Sequence, residues 1–156
     1  MFFILLIAGI FLLDYTLKEH TDSTRLKGTK QEILGGKLIL RNCHNEGTAF
    51  GLYKAGKKEC LTASAFALGG VTWEFVRHLI SGGSRIAKLG LSFILGGGLS
   101  NYFDRHTKGY VTDYVSFGVK NPKIRNLVFN VSDFFILAGT VIWAVSSILP
   151  SFGKKK

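Results

Sequence analysis

Apolar residues are gathered into four long stretches, with most polar residues between them. The stretches cover residues 2–17, 60–80, 86–103 and 127–149. A helix needs roughly 20 residues to cross the hydrocarbon core of a bilayer, or somewhat fewer when flanking polar groups reach the interface. Because lipid offers the backbone no hydrogen-bond partners, we expect helices rather than strands. The pattern predicts four transmembrane helices, of which the first is short. That first stretch lacks a basic lead-in and a small-residue cleavage site, so it is expected to be retained rather than removed as a signal peptide.

The longest polar segment covers residues 19–59 and is rich in Thr, Gly and Lys. Gly35 and Gly36 are a turn signal, and the adjacent KLILR has the alternating character of a strand. We therefore predict a small β region that rests on the membrane surface. Cys43 and Cys60 either form a disulfide or remain separate thiols, and the spacing leaves both possibilities open.

Composition supports a membrane protein. The chain has 156 residues, of which 47% are hydrophobic, and a formal net charge of +10. Soluble domains rarely combine these properties, whereas a small polytopic membrane protein with basic loops does. The basic residues show no recognition-helix or stacking pattern, so nucleic-acid binding is not expected. Fourteen of the 20 Lys and Arg residues lie in segments 18–59 and 104–126. A cytoplasmic N-terminus would place these segments outside, against the positive-inside rule, so charge alone leaves the orientation open.

Polar side chains interrupt the end of the third stretch and the start of the fourth. Asn101, Asp104 and Arg105 lie at the first position, and Asn130 and Asp133 lie at the second. Since consecutive antiparallel helices meet on one side of the bilayer, Asp104 and Asp133 are expected to face one another at similar depth. Two carboxylates in a poorly hydrated cleft tend to share one proton. One can then activate a water molecule while the other protonates a carbonyl oxygen, which is aspartic-protease chemistry.

Simpler interpretations of the same residues also stand. Asp104 and Arg105 are consistent with an ordinary charged pair that ends a helix. The polar side chains within 130–133 are of types that cap helix N-termini. Asp14 lies four residues before Lys18 and is well placed to pair with it. Buried aspartates also occur in ion-coupled carriers, so the residues alone do not decide between these alternatives.

Five short motifs occur in a specific order along the chain. They are DYTLK at 14–18, NEGTAF at 45–50, NYFDR at 101–105, GYVTDYVSF at 109–117 and FNVSD at 129–133. In order and spacing they resemble the motifs of the lipoprotein signal peptidases, the type II signal peptidases of bacteria. That family has D-x-x-x-K, N-x-G-x-A-F, N-x-x-D-R, G-x-V-x-D-φ and F-N-x-A-D. The resemblance covers nearly the whole chain.

The resemblance implies an aspartic endopeptidase of the bacterial cell membrane that requires no metal or other cofactor. Its substrates would be prolipoproteins whose lipobox cysteine carries diacylglycerol, cut just before that cysteine. Both termini would be cytoplasmic, residues 19–59 would form a β-cradle in contact with membrane lipids, and the chain would act as a monomer. Asp104 and Asp133 would be the catalytic pair. The supporting or substrate-binding residues would be Asp14, Asn45, Gly47, Asn101, Arg105, Asn130 and Ser132, with Phe50 helping Gly47 to shape the surface loop.

Three positions depart from the family's pattern. Tyr15 replaces the usual Gln, Thr48 interrupts a run of small residues, and Ser132 replaces the usual Ala. We expect all three near the cleft, where they would alter substrate preference rather than the chemistry. Two other functions remain open: a diverged relative that processes another membrane peptide, and a non-catalytic, ion-coupled membrane protein.

Overall fold

The computed structural model describes residues 1–47 and 56–148. In chain order the elements are α1 (Phe2–Thr24), β1 (Lys30–Ile33), β2 (Leu38–Asn45), α2 (Lys57–Ile80), α3 (Arg85–Thr107), β3 (Val111–Phe117), α4 (Pro122–Arg125) and α5 (Val131–Ile148). The long helices coincide with the four predicted stretches, but four of their boundaries differ by three residues or more. α2 begins at Lys57 instead of residue 60, and α3 ends at Thr107 instead of residue 103. α1 continues to Thr24 instead of ending at residue 17, and α5 begins at Val131 instead of residue 127.

α1 is polar on the face that meets the rest of the protein and apolar on much of its exposed surface. Its buried polar residues, Asp14, Lys18 and Thr21, are spaced to share one helix face. Leu12 and Leu13 point outward and are 55% and 47% exposed. This is the reverse of the amphipathic pattern of a helix on a soluble protein. The apolar pattern predicted the end of α1 too early, because polar contacts rather than apolar packing hold the last turns of the helix.

α3 is the central helix and contacts α1, α2 and α5. Its close approach to α5 requires glycine, because a Cβ at Gly97 would lie 2.6 Å from the carbonyl oxygen of Ser132. A Cβ at Gly139 would similarly lie 2.5 Å from the carbonyl oxygen of Gly90. Backbone atoms of a packed helix cannot move aside as a flexible side chain can, so small residues set the distance between α3 and α5. A buried apolar cluster of Phe75, Leu91 and Leu95 lies between α2 and α3.

The three strands form an antiparallel sheet in the order β1-β2-β3. The predicted turn joins β1 to β2, and Gly35 and Gly36 there have φ values of +66° and +81°, which residues with a Cβ rarely adopt. β3 was not predicted as a strand, and it pairs with β2 although it follows α3 in the chain. Successive side chains of a strand point to opposite faces. β3 therefore directs Asp113 and Tyr114, both buried, to different sides of the sheet.

By length and composition, α5 is the one helix within residues 1–47 and 56–148 that is apolar enough to cross a membrane. The other long helices contain more polar residues, yet they also expose large apolar side chains, such as Phe66 and Trp73 of α2. Cys43 in β2 and Cys60 at the start of α2 are not joined to each other by a disulfide. The cross-link considered from the sequence is therefore absent.

Candidate active site

A cavity of about 440 Å³ lies between α2, α3, α5 and the sheet. Its walls are mainly apolar along α2 and α5 and polar at the end next to the sheet. The polar end is lined by Asn45, Asn101, Arg105, Asp113, Asn130 and Asp133. Two carboxylates from separate elements therefore share one end of a mostly apolar cavity.

Asp113 enters this cavity from β3 and is 5% exposed. Its Oδ1 accepts a hydrogen bond from Nδ2 of Asn130 at 2.7 Å, and its Oδ2 accepts one from Nδ2 of Asn45 at 3.1 Å. Burial, and after it the negative charge of Asp133, raises the pKa of Asp113 to about 7, although the two amide hydrogen bonds act in the opposite direction. Asp113 therefore keeps its proton up to neutral pH, which an ordinary aspartic acid does not.

Asp133 lies in the first turn of α5. Its Oδ2 accepts a hydrogen bond from the backbone N–H of Asn130 at 3.1 Å, and its own N–H donates to Oδ1 of Asn130 at 3.0 Å. These reciprocal bonds form a helix cap, as the capping interpretation predicted. The Oδ1 of Asp133 accepts a further hydrogen bond from Nδ2 of Asn101 at 3.1 Å. Both donors and the helix N-terminus stabilise the negatively charged form of this side chain. The cap thus also holds Asp133 at the polar end of the cavity.

Asp104 forms a buried ion-pair cluster outside the cavity. Its Oδ2 accepts a hydrogen bond from the backbone N–H of Thr112 at 3.1 Å and lies 3.4 Å from Nζ of Lys18. Its Oδ1 lies 3.3 Å from Nζ of Lys108. Asp104 therefore connects the end of α3 to α1 and to the start of β3.

The predicted pairing of Asp104 with Asp133 is wrong on this geometry. Asp104 follows Asn101 by three residues, which turns its side chain by about 60° around α3 relative to Asn101. Asn101 faces α5, whereas Asp104 faces α1 and β3. Asp113 lies beside Asp133 instead. The signal that identifies Asp113 in the sequence is the GYVTDYVSF segment, where it occupies the aspartate position of G-x-V-x-D-φ.

Asp14 joins four elements behind the cavity and is fully buried. Its Oδ2 lies 2.7 Å from Nζ of Lys18 and accepts hydrogen bonds from the hydroxyls of Ser100 at 2.7 Å and Ser132 at 2.6 Å. Its Oδ1 accepts from the Tyr114 hydroxyl at 3.0 Å and from the backbone N–H of Ser132 at 3.2 Å. One carboxylate thus holds together α1, α3, β3 and the start of α5.

Comparison with known proteins identifies the family. A family model described as Signal peptidase (SPase) II matches residues 6–149. The chain belongs to the signal peptidase II family. The lipoprotein signal peptidase of Chromobacterium violaceum is 31% identical over 147 residues, covering 92% of this chain and 88% of that protein. That of Caldicellulosiruptor bescii is 30% identical over 139 residues, covering 88% and 85%.

Two solved structures share the fold of this signal peptidase II. Both are described as bacterial membrane enzymes determined by the in meso method, one at 2.3 Å and the other at 1.9 Å resolution. The first has a TM-score of 0.81 at 19% identity and covers 99% of this chain and 92% of its own. The second has a TM-score of 0.79 at 18% identity and covers 96% and 94%. By family the chain is therefore a signal peptidase, and its fold is that of these two structures.

Asn45, Gly47 and Arg105 of this signal peptidase II meet where the loop after β2 begins. The N–H of Gly47 donates to Oδ1 of Asn45 at 3.1 Å, and Nη2 of Arg105 donates to the carbonyl oxygen of Gly47 at 3.4 Å. Asn45 and Arg105 line the polar end of the cavity, so this loop begins at its edge. Thr48 and Phe50, also singled out from the sequence, lie outside the described residues.

Ser132 and Tyr15 make their contacts outside the cavity. Ser132 is fully buried and binds Asp14 behind the cavity. The ring of Tyr15 stacks on that of Phe11 with centroids 6.0 Å apart and meets Phe103 edge-on at 5.7 Å. Neither residue lines the cavity, although Ser132 lies directly before Asp133, which does. Ser132 connects α5 to α1, and Tyr15 belongs to an aromatic contact between α1 and α3.

Proposed function

We propose that this peptidase removes signal peptides from lipid-modified bacterial prolipoproteins, cutting before the lipidated cysteine, with Asp113 and Asp133 as its catalytic pair. The observation that carries the proposal is the meeting of these two carboxylates, one from β3 and one from α5, at the polar end of a mainly apolar cavity. The curated relatives, which are named lipoprotein signal peptidases, support the substrate class. Asp104 is not part of the proposed pair.

In the proposed reaction Asp133 is the general base and Asp113 the general acid. Asp133 takes a proton from a water molecule as the water oxygen attacks the carbonyl carbon of the scissile bond. Asp113 gives its proton to the carbonyl oxygen, so that a neutral gem-diol forms. When the C–N bond breaks, the proton on Asp133 passes to the leaving nitrogen, and one diol hydroxyl returns its proton to Asp113. Both side chains then have their starting protonation states.

The environments of the two carboxyl groups support these roles. The pKa of Asp113 is raised to about 7, first by burial and then by the charge of Asp133, so Asp113 starts with a proton at neutral pH. Asp133 accepts N–H bonds from Asn101 and Asn130 at the N-terminus of α5. These bonds stabilise a carboxylate and oppose the effect of burial. Unequal environments of this kind separate an acid from a base within a carboxyl pair.

The remaining walls of the cavity suit a lipid-modified peptide. Leu68 and Val71 of α2 and Leu137 of α5 line its apolar part. Covering apolar surface there gains roughly 25 cal/mol for each Å² removed from water. Asn45 and Arg105 at the polar end offer N–H groups to a peptide backbone. The scissile bond would thus lie at the carboxyl pair while acyl chains and the signal helix contact the apolar walls.

We propose that α1, α2, α3 and α5 all cross the bacterial inner membrane, with both termini cytoplasmic and the sheet in contact with lipids at the outer surface. Even α5, with 18 residues, is about 27 Å long at a rise of 1.5 Å per residue. That length is close to the thickness of the hydrocarbon core. The outward-facing apolar residues of α1 and α2 also support this placement.

Cysteine labelling tests this orientation. In a chain carrying Cys43→Ser and Cys60→Ser, single cysteines replace Lys123 in α4 and Arg85 at the start of α3. An impermeant maleimide added to intact spheroplasts should modify position 123 and leave position 85 unmodified until the membrane is opened. Labelling of position 85 alone would reverse the proposed orientation.

We also propose that the enzyme acts as a monomer, because all six polar side chains at the end of the cavity come from one chain. Native mass spectrometry of the detergent-solubilised, active enzyme should give the mass of one chain. Activity confined to a dimeric fraction would contradict this.

Carboxyl-to-amide substitutions test the catalytic assignment. Wild type, Asp113→Asn, Asp133→Asn and Asp104→Asn are purified from a host that lacks its own lipoprotein peptidase and are given a diacylated precursor peptide. Asp113→Asn and Asp133→Asn should each lower the cleavage rate by several orders of magnitude. Folded Asp104→Asn should retain measurable cleavage. Undiminished cleavage by either of the first two variants would remove the mechanism. Equal cleavage of an unlipidated peptide by wild type would indicate a diverged relative with another substrate.

A further inference from the structure

Lys18 is a fully buried cation that does not line the cavity. Its Nζ lies 2.7 Å from Oδ2 of Asp14 and 3.4 Å from Oδ2 of Asp104. It also donates hydrogen bonds to Oδ1 of Asn101 at 2.7 Å and to the hydroxyl of Ser100 at 3.1 Å. The two neighbouring carboxylates compensate the charge of Lys18, which explains why a lysine is tolerated in a buried position. It does not account for the short bond to Asn101.

The bond from Lys18 fixes which way the Asn101 amide points. An ammonium group only donates hydrogen bonds, so it must face the amide oxygen of Asn101. The amide NH₂ then faces the other way, where Nδ2 donates to Oδ1 of Asp133 at 3.1 Å. In the opposite orientation the amide oxygen would face a carboxylate oxygen and the NH₂ would face the ammonium, and both contacts would be repulsive. Lys18 thus selects one of two nearly isosteric amide orientations.

We propose that Lys18 is a positioning residue that acts through Asn101 to orient Asp133 and to favour its carboxylate form. The inference rests on the proposed function, in which Asp133 is the general base. Lys18 is held by Asp14 of its own helix, and Asn101 transmits its position from α1 across α3 to α5. The contact between Lys18 of the DYTLK motif and Asn101 of the NYFDR motif thus has a chemical role beyond helix packing.

Kinetics of a double-mutant cycle test the proposal. Wild type, Lys18→Met, Asn101→Ala and the double variant are assayed in detergent with a diacylated precursor peptide. Lys18→Met should lower kcat about 100-fold, because a small displacement of a general base is costly, while KM changes less than about twofold. Since Lys18 acts through Asn101, the double variant should be no slower than Asn101→Ala alone. Lys123→Met, the same change at an exposed lysine of α4, is the matched control and should behave as wild type.

The pH profile provides a readout that a purely structural role would not affect. The charged groups around Asp133 are Asp113 from β3, Arg105 from α3, and Lys18 and Asp14 from α1. Loss of the oriented amide makes the carboxylate of Asp133 harder to form. The acidic limb of the kcat/KM profile should therefore move to higher pH in Lys18→Met. The basic limb should move in the same direction, because the positive charge of Lys18 also lowers the pKa of Asp113. Asn101→Ala, which keeps that charge, should move the acidic limb alone.

A second variant guards against misfolding, because Lys18→Met leaves two buried carboxylates without their shared cation. Lys18→Met/Asp14→Asn removes one charge of each sign, and Asp14→Asn alone is its reference. The kcat of Lys18→Met/Asp14→Asn should again be about 100-fold lower than that of Asp14→Asn. Three results would overturn the proposal: full kcat in a folded Lys18 variant, losses that multiply in the cycle with Asn101→Ala, or failure of both Lys18 variants to fold.

Failure of the inference is distinguishable from failure of the proposed function. Retained cleavage by Asp113→Asn or Asp133→Asn refutes the catalytic pair whatever Lys18 does. Inactive Asp113→Asn and Asp133→Asn beside a fully active Lys18→Met refutes the role of Lys18 alone.

Discussion

Replacing Asp113 by Asn should inactivate the enzyme and at the same time stabilise it at alkaline pH. Asp113 is buried, and its pKa is raised from 3.8 to about 7, first by burial and then by the charge of Asp133. The folded state therefore binds this proton more tightly than the unfolded state does. Stability contributed by the protonated side chain is lost as the pH rises from about 4 to 7, and the loss amounts to roughly 4 kcal/mol above pH 7. An asparagine has no proton to release and escapes this loss.

A second, pH-independent effect opposes the gain. Both oxygens of Asp113 accept amide N–H bonds, from Asn45 and Asn130, so an asparagine must present its own NH₂ to one of these donors. A mismatch of this kind costs about 1–3 kcal/mol. The cost of the mismatch is the same at every pH. The stability difference between wild type and Asp113→Asn therefore changes between pH 5 and pH 8 only through the proton of Asp113. That change should be roughly 3 kcal/mol in favour of Asp113→Asn at the higher pH.

Denaturant unfolding in mild detergent at pH 5, 6, 7 and 8 measures this difference. Glu32→Gln is the control, since Glu32 is exposed and pairs with Arg125 on the surface. Its stability difference from wild type should change little over the same range. A difference for Asp113→Asn that is constant with pH, or that favours the variant more at pH 5 than at pH 8, would refute the reasoning. Asp113 would then be ionised in the folded protein at neutral pH.

Three further predictions concern rate, packing and the displaced aspartate. The kcat/KM of wild type should fall about tenfold per pH unit above pH 7, as Asp113 loses the proton it donates; a flat pH–rate profile up to pH 9 would argue against it as the acid. Gly97→Ala should destabilise the fold by about 1–3 kcal/mol because its Cβ meets the backbone of α5, whereas Gly69→Ala, with open space around it, should not; equal melting temperatures for the two variants would contradict this. Asp104→Asn should lower stability by about 1–3 kcal/mol by weakening buried charged hydrogen bonds, since Lys18 keeps Asp14 and Lys108 keeps two carboxylates; normal thermal stability with abolished cleavage would return Asp104 to the catalytic pair.

Local sequence signals predicted the elements well where neighbouring residues determine the structure. The turn at Gly35 and Gly36 is confirmed because positive φ angles are a property of glycine itself. The cap at the start of α5 is confirmed because Asn130 and Asp133 satisfy each other's backbone groups over three residues. The end of α1 was misplaced because its last turns are stabilised by contacts with residues distant in sequence. One of these is the Lys18 bond to Asn101.

The candidate site was predicted only in part, because some of its residues are brought together by contacts between distant segments. Asp133, Asn101 and Asn130 were singled out because each interrupts an apolar stretch, and all three line the cavity. Asp104 interrupts a stretch in the same way and lies at the same end of α3, so depth along the helix could not separate it from Asn101. Asp113 lies in a strand that the hydrophobic pattern did not reveal.

The sequence by itself determined that the chain has four apolar helical stretches, a glycine turn in a basic polar segment, and the ordered motifs of the signal peptidase II family. These properties depend on composition, local backbone preference and order along the chain. Only the tertiary structure decided which aspartate stands beside Asp133. Helix rotation turns Asp104 toward Lys18, and the pairing of β3 with β2 brings Asp113 to the cavity. Both outcomes depend on contacts between segments far apart in the sequence, which the pattern of hydrophobic and polar residues does not specify.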